Sequence, residues 1–300
     1  MSLSLYYYLA ITAVNILMSW ALYLPYRVAH LHFLTIAIMA ISGYSAGWMV
    51  MSLHMPFWWA LLAGLALGGL IGFLVAQFIG AAPTLAVVIV GFTFIYITRT
   101  VIENTPAVGG TLGMFGLPGI VADPAIHRLL ILVILYGMVL LAGFLIHRFD
   151  HSRLGRAASA VFTDKDLAAS LGVDSRKLGI LLQTVSCVIA GGCGVLYGFI
   201  YKSFHLDFFT FHLVGVFMTV IFVGGYATQW GSVIAAPILY GVPLLFPPAI
   251  QSWRIVIYGA ALILVLVLKP EGFITRRMVV QWETVLSRAR KNRKLKKEDV

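Results

Sequence analysis

Nine mostly apolar runs constrain this chain more than any other feature. They cover Leu5 to Leu24, Phe33 to Leu53, Phe57 to Ile79, Leu85 to Ile102, Ile126 to Ile146, Leu178 to Tyr201, Phe209 to Val223, Ser232 to Leu245 and Ile255 to Leu268. A bilayer hydrocarbon core of about 30 Å takes roughly 20 apolar residues of helix to cross. Backbone polar groups in lipid must be satisfied internally, which leaves helices and closed barrels, and the alternating pattern of a lipid-spanning barrel is absent. The reading is therefore an all-α polytopic membrane protein with about nine transmembrane helices. Gly43 in the second run, and Pro237 with Pro243 in the eighth, permit broken helices and widen the range to eight to ten. With 61% hydrophobic and 11% charged residues, the chain is far from a soluble domain. The first run lacks a basic leader and a small-residue cleavage site, so it reads as a retained span.

The formal charge is +10, yet the basic residues sit in loops and in the C-terminal tail. That distribution speaks of membrane orientation and against a nucleic-acid partner. Arg153, Arg156, Lys165, Arg176 and Lys177 lie between the fifth and sixth runs, and ten more basic residues follow from Lys269 to Lys297. Both segments are expected on the cytoplasmic side of a bacterial inner membrane, which puts the C-terminus in the cytoplasm and the loop from Glu103 to Asp123 outside.

That outer loop reads TPAVGGTLGMFGLPG. A nucleotide-binding loop needs a following Lys-Ser or Lys-Thr and a preceding strand, and neither is present. A Gly-rich cap or short re-entrant turn is expected instead. Cys187 and Cys193 fall within one apolar run at a spacing that suits neither metal nor redox chemistry, so buried thiols are expected. No carboxylate pair, nucleophile with its base, or metal cluster is legible, so neither catalysis nor a cofactor is expected in this chain.

The polar segment from Asp150 to Lys177, DHSRLGRAASAVFTDKDLAASLGVDSRK, interrupts the apolar pattern. Leu154 to Val161 and Leu167 to Leu171 read as short helices. Thr163 with Asp166 fits a capping-box-like start, and Gly172 supplies a left-handed stop. Leu167, Ala168 and Leu171 then make a small apolar patch, with Ala169 and Ser170 allowing another backbone to come close. The residues by themselves fit two roles, a docking helix for a cytosolic partner and an amphipathic helix on the headgroups.

The order SRLGRAASAVFTDKDLAASLGVDSRKLGILLQTVSCVIAGGCGVLYG resembles the cytoplasmic coupling segment and following helix of the branched-chain amino-acid permease family of bacterial ABC importers. VGGTLGMFGLPGI at Val108 to Ile120, GGYATQWGSVIAAP at Gly224 to Pro237, LKPEGF at Leu268 to Phe273 and AHLHFLTIAIMAISGYSAG at Ala29 to Gly47 resemble further segments of that family in order. The resemblance implies that Thr163, Asp164, Asp166, Leu167, Ala168, Ala169, Leu171 and Gly172 enter a cleft on a separate ABC ATPase subunit. It also implies a second permease subunit, related or identical, and a periplasmic substrate-binding protein. This chain has no Walker A sequence, so ATP and Mg belong to the partner. The pattern departs from the family where Lys165 separates Asp164 from Asp166, and where Tyr226 and Gln229 stand in the Gly-Gly turn.

Polar residues inside the spans are the pathway candidates, because charge at mid-bilayer is costly. Arg99 and Glu103 stand one turn apart near the outer end of the fourth run and can pair on one face; a substrate contact and an interfacial ion pair both fit. Gln77 and Asn15 are single amides. His30 and His32 are expected to be solvated in a cytoplasmic turn, and His212 to lie at the outer interface. GLALGG at Gly64 to Gly69 and AGGCG at Ala190 to Gly194 are expected to pack helices closely. Residues 1–272 thus form the permease domain. Residues 273–300, with Met278, Trp282, Val285, Leu286 and Ala289 at helical spacing before RARKNRKLKK, form a basic amphipathic tail suited to membrane lipid. The functional expectation is the permease subunit of an ATP-driven importer of branched-chain or other small amino acids, or related amides and carboxylates. A self-sufficient channel or secondary transporter is the alternative, and the scarcity of intramembrane ionisable residues speaks against it.

Overall fold

Within the described residues, the first seven apolar runs and the ninth form helices whose ends fall within a few residues of the expected positions. The computed structural model describes residues 2–80, 82–226, 228–241, 253–268 and 272–274. Seven described segments are long and apolar enough to cross a membrane. They correspond to α1 (Leu3–Tyr26), α2 (Leu34–Met51), α3 (Phe57–Ile79), α4 (Thr84–Glu103), α5 (Pro124–Asp150), α8 (Ser175–Tyr201) and a seventh unit in which a short turn, Leu206–Phe208, precedes α9 (Phe211–Gly224). The polar segment supplies α6 (Arg153–Thr163) and α7 (Lys165–Ser170). The eighth and ninth runs appear as shorter helices, α10 (Trp230–Ala236), running into a π-turn at Pro237–Gly241, and α11 (Arg254–Leu268). Pro243 and the tail beyond Ile274 lie outside the described residues.

α8 is the central helix, in contact with α1, α2, α3 and α5. Its position follows from glycine. Gly64, Gly68 and Gly72 recur every four residues on α3 and so share a face, and all three press on α8, at Val195, the Cys187 carbonyl and the Cys187 side chain. Gly191 of α8 abuts the Gly64 carbonyl in return, and Gly194 abuts the Met39 carbonyl of α2. Without a hydrophobic drive between helices in lipid, such close backbone approach supplies the packing. Cys187 and Cys193 are fully buried and unpaired within this contact.

Gly43 does not break α2, which runs unbroken from Leu34 to Met51. Its missing side chain instead makes room for the Phe204 ring, as do Gly47 and Gly198. At Pro237 the helix continues but its α-helical pattern gives way to a π-turn, since proline removes one amide donor and crowds the preceding turn. α9 has only 14 residues, about 21 Å of helix. Its first residue, Phe211, packs on Phe33 and Phe92 with ring centroids 5.7 and 4.9 Å away. The stretch before it buries Phe204, Leu206 and Phe209 and so dips from the end of α8 into the bundle.

The Gly-rich loop forms a cap at the end of the bundle opposite the polar segment. Gly109, Gly110, Gly113 and Gly116 all adopt positive φ. They turn the chain so that β1 (Met114–Phe115) pairs antiparallel with β2 (Ser203–Phe204). The Lys202 carbonyl accepts from Gly116 N and Leu117 N, both at 3.1 Å.

Candidate coupling surface and opposite-end polar cluster

α6 buries Gly155, Ala158 and Val161 on one face and exposes Arg153, Leu154, Arg156 and Phe162. Ser152 caps it, accepting from Gly155 N at 3.2 Å. The cap of α7 is Asp164, whose Oδ1 accepts from Asp166 N at 3.0 Å and Leu167 N at 2.9 Å. The expected cap thus shifts by one residue. Thr163 ends α6 and donates to the Ser159 carbonyl at 2.9 Å, while Asp166 lies in the first turn of α7, where a carboxylate favours the helix dipole. Gly172 has φ +82° and would meet nothing with a Cβ, so only its backbone conformation demands glycine. Asp174 caps α8 through Lys177 N at 3.0 Å and pairs with Lys177 Nζ at 3.1 Å. The hydrogen bonds and charge of Lys177 hold its carboxyl below the usual range.

The apolar patch of α7 is split. Ala168 is 1% exposed, whereas Leu167 and Leu171 are 59% and 74% exposed. Residues four apart share a helix face and the intervening position turns away. Ala168 therefore anchors α7 inward, and Leu167, Leu171 and Ala169 face outward.

The base beneath this surface is the end of α1 and the loop after it. Arg27 lies 3.3 Å from Asp150 Oδ1 and donates to Ser159 Oγ of α6 at 3.0 Å. Tyr23 donates to Asp150 Oδ2 at 3.1 Å. The Tyr26 ring meets Phe162, Phe222 and Tyr226 at 5.4, 6.0 and 5.9 Å. His30 and His32 are buried, 8% and 1% exposed, contrary to the expected solvated turn. His30 lies against the Gly179 position at the start of α8. Burial lowers its pKa, aided by the Lys165 charge, and burial with the neighbouring His30 lowers that of His32 to about 3. Both imidazoles are therefore neutral at pH 7.

The Gly-Gly turn closes the same end. Gly224 and Gly231 are in backbone contact, Gly225 has φ +111°, and Gly272 packs on Gly225. Phe273 N and Ile274 N donate to the Val223 and Gly224 carbonyls at 2.9 and 3.0 Å. Two family-like segments far apart in sequence are thereby joined.

At the opposite end, Arg99 Nε donates to Glu103 Oε1 at 2.8 Å, and Arg99 Nη2 to Asp207 Oδ1 at 3.4 Å. His205 Nδ1 lies 3.8 Å from Asp207 Oδ2. Asn15 is buried within α1, and Gln77 is exposed near the end of α3, its carbonyl accepting from Arg176 at 3.2 Å. The four pathway candidates are thus not gathered in one place; Arg99 and Glu103 are together. His212 is exposed at the start of α9. Reading the sequence missed Arg27, Tyr23 and Asp207; of these only Arg27 carried a signal, as an isolated cation just past an apolar run. Among the described residues no group of three His, Cys, Asp or Glu side chains could hold a metal ion.

A bundle of apolar helices around a glycine-packed central helix, with a polar helix pair at one end, defines a multi-pass membrane protein. The chain belongs to the family described as branched-chain amino acid transport system / permease component, whose model matches residues 4–266. It is 26% identical over 264 residues to the high-affinity branched-chain amino acid transport system permease protein LivM of Escherichia coli (strain K12), and equally to that of Salmonella typhimurium (strain LT2). Each alignment takes in 78% of this chain and 61% of the relative, so the chain spans about three fifths of their length. No solved structure matches.

Proposed function

We propose that this chain is the membrane-spanning permease subunit of an ABC importer in a bacterial inner membrane, carrying branched-chain or other small amino acids. ATP is hydrolysed on separate subunits, a second permease subunit completes the pathway, and a periplasmic binding protein delivers the substrate. The end carrying α6 and α7 faces the cytoplasm, as does the C-terminus, in keeping with the basic residues concentrated there.

The observation that carries this reading is the α6–α7 pair, which exposes Leu167 and Leu171 on a capped helix while its inner face is tied to the bundle. A partner that grips α7 moves Ser159 and Phe162, and with them the ends of α1, α5 and α9. Coupling needs such a contiguous network. Exposed leucines on a short helix also fit a hydrophobic cleft, where a few buried apolar anchors dominate binding.

The test is co-purification with the ATPase subunits and ATP-driven uptake of labelled L-leucine in proteoliposomes. Leu167→Asp and Leu171→Asp are expected to abolish both. Association and uptake at wild-type level in both variants, or gradient-driven flux through this chain alone without ATP, would overturn the proposal.

A further inference from the structure

The exposed face of α5 changes character along its length. Val133, Leu140, Leu141, Phe144 and Leu145 are each more than half exposed, and on a helix long and apolar enough to span a bilayer such a face meets acyl chains. The same exposed arc then carries His147, Arg148 and His151, because residues three, four and seven apart share a helix face. α6 continues it with the exposed Arg153 and Arg156, and Arg156 Nη1 donates to the His151 carbonyl at 3.4 Å. Among the described residues no carboxylate pairs with Arg148, Arg153 or Arg156. Asp150, close by in sequence, is engaged instead by Arg27 and Tyr23 at the end of α1.

α10 forms the other wall of a seam beside this face. The His147 and Trp230 rings lie 6.3 Å apart by centroid, and Trp230, Ile234 and Ile238 follow one another at four-residue intervals on the exposed side. The floor of the seam is α1. The Trp20 ring occupies the space that a Cβ on Gly143 of α5 would need, and its Nε1 donates to the Gln229 carbonyl at 2.9 Å. Gln229 Nε2 donates in turn to the Gly143 carbonyl at 3.2 Å, which closes the seam beneath.

We propose that this seam binds an anionic phospholipid, with its phosphate at Arg148, Arg153 and Arg156 and an acyl chain running along Phe144 and Ile234. The chemistry of the occupant follows from the surface. An apolar face that ends in arginines without acidic partners is matched by a molecule that is apolar along its length and anionic at one end. Basic residues at the membrane boundary attract anionic headgroups, and guanidinium groups bind phosphate oxygens in bidentate fashion. Trp230 stands where an indole favours the headgroup level, beside the cations rather than among the acyl chains. A neutral phospholipid satisfies the apolar wall and leaves the arginine charge unmatched. Bound here, one headgroup bridges α5 and α6 across the Ser152 turn and so braces the corner from which the α6–α7 pair projects.

Fluorescence quenching by brominated lipid tests this on the full chain in phosphatidylcholine nanodiscs. A small, equal share of either phosphatidylglycerol or phosphatidylcholine with chains brominated near the headgroup is included. The signal from Trp230 is the difference between the wild type and Trp230→Phe, which separates the seam from the other tryptophans and from lipid bound elsewhere. Brominated phosphatidylglycerol is expected to quench that signal about tenfold more effectively than brominated phosphatidylcholine. Arg148→Gln with Arg156→Gln, both at exposed positions, is expected to bring the two lipids to parity. Arg148→Lys with Arg156→Lys should keep most of the preference, and Lys177→Gln, an exposed cation on α8, should keep all of it. Parity in the wild type would overturn the site, as would a preference that survives the double Gln variant, which would put the headgroup on other cations. Absence of quenching by either lipid would show that protein, such as a second permease copy, covers the face. Loss of the preference on adding inorganic phosphate at millimolar concentration would reduce the site to one for the free anion, and the lipid assignment would fall.

Discussion

The Arg27 guanidinium lies 3.3 Å from the Asp150 carboxylate, joining the last turn of α1 to the end of α5. The same guanidinium reaches Ser159 of α6 and lies 5.9 Å from the Tyr23 ring centroid. One cation thus ties two spanning helices to the helix pair proposed to carry the ATPase contact.

Because the two side chains are only 18% and 20% exposed, removing one partner leaves a largely desolvated charge. Arg27→Met and Asp150→Leu are each expected to destabilise the protein by about 2 kcal/mol. The double variant is expected to lose less than the sum. Thermal unfolding of the detergent-purified protein gives the cycle, and strict additivity would show the pair uncoupled.

Gly68 sets the distance between α3 and α8, because a Cβ there runs into the Cys187 carbonyl. Gly68→Ala is expected to cost about 1 to 3 kcal/mol. Gly137→Ala on α5 serves as the control, since its Cβ meets nothing within 4 Å. It is expected to be neutral or stabilising by up to about 1 kcal/mol from helix propensity. Melting temperatures of the two variants should move in opposite directions or differ clearly in size.

Gly172 carries no packing role, only φ +82°. Gly172→Ala is therefore expected to cost about 1 kcal/mol locally, with Gly172→Asn milder. Faster hydrogen exchange confined to α7 and the start of α8 is the expected signature. Exchange unchanged there would show that the helix end does not need the left-handed turn.

His32 is held neutral with a pKa near 3, and that of His30 is lowered too. The unfolded chain takes up these protons below about pH 6.5, so between that pH and the folded values the unfolded state binds more protons. Stability is then complete above about pH 6.5 and falls as the pH drops toward 3. A melting-temperature series should show this decline, and His32→Leu should flatten it. An identical slope in the variant would assign the decline to other groups.

The long helices were legible because the first six apolar runs are each about long enough to span a bilayer on their own, and α3 runs from Phe57 to Ile79, the ends expected from its sequence. Gly172 was legible as a stop because left-handed backbone is a local demand. Asp164 was not recognised as the cap, since Thr163 and Asp164 both suit that position and the winner depends on where α6 ends. Asp207 gave no sign of meeting Arg99, which approaches it from another helix. The buried state of His30 and His32 was hidden because a turn carrying two histidines looks solvated until the start of α8 packs against it.

The sequence by itself determined a multi-pass helical membrane protein, since length, apolarity and local capping are properties of neighbouring residues, and its ordered motifs carried the resemblance to the branched-chain permease family. Only the tertiary structure decided that α8 is central, that Gly43 accommodates the Phe204 ring without breaking α2, and that Ala168 faces inward while Leu171 faces out. It also brought Arg27 to Asp150 and Arg99 to Asp207. These relations join residues on different helices, and close glycine packing and charge pairing across such distances arise only when the helices have met.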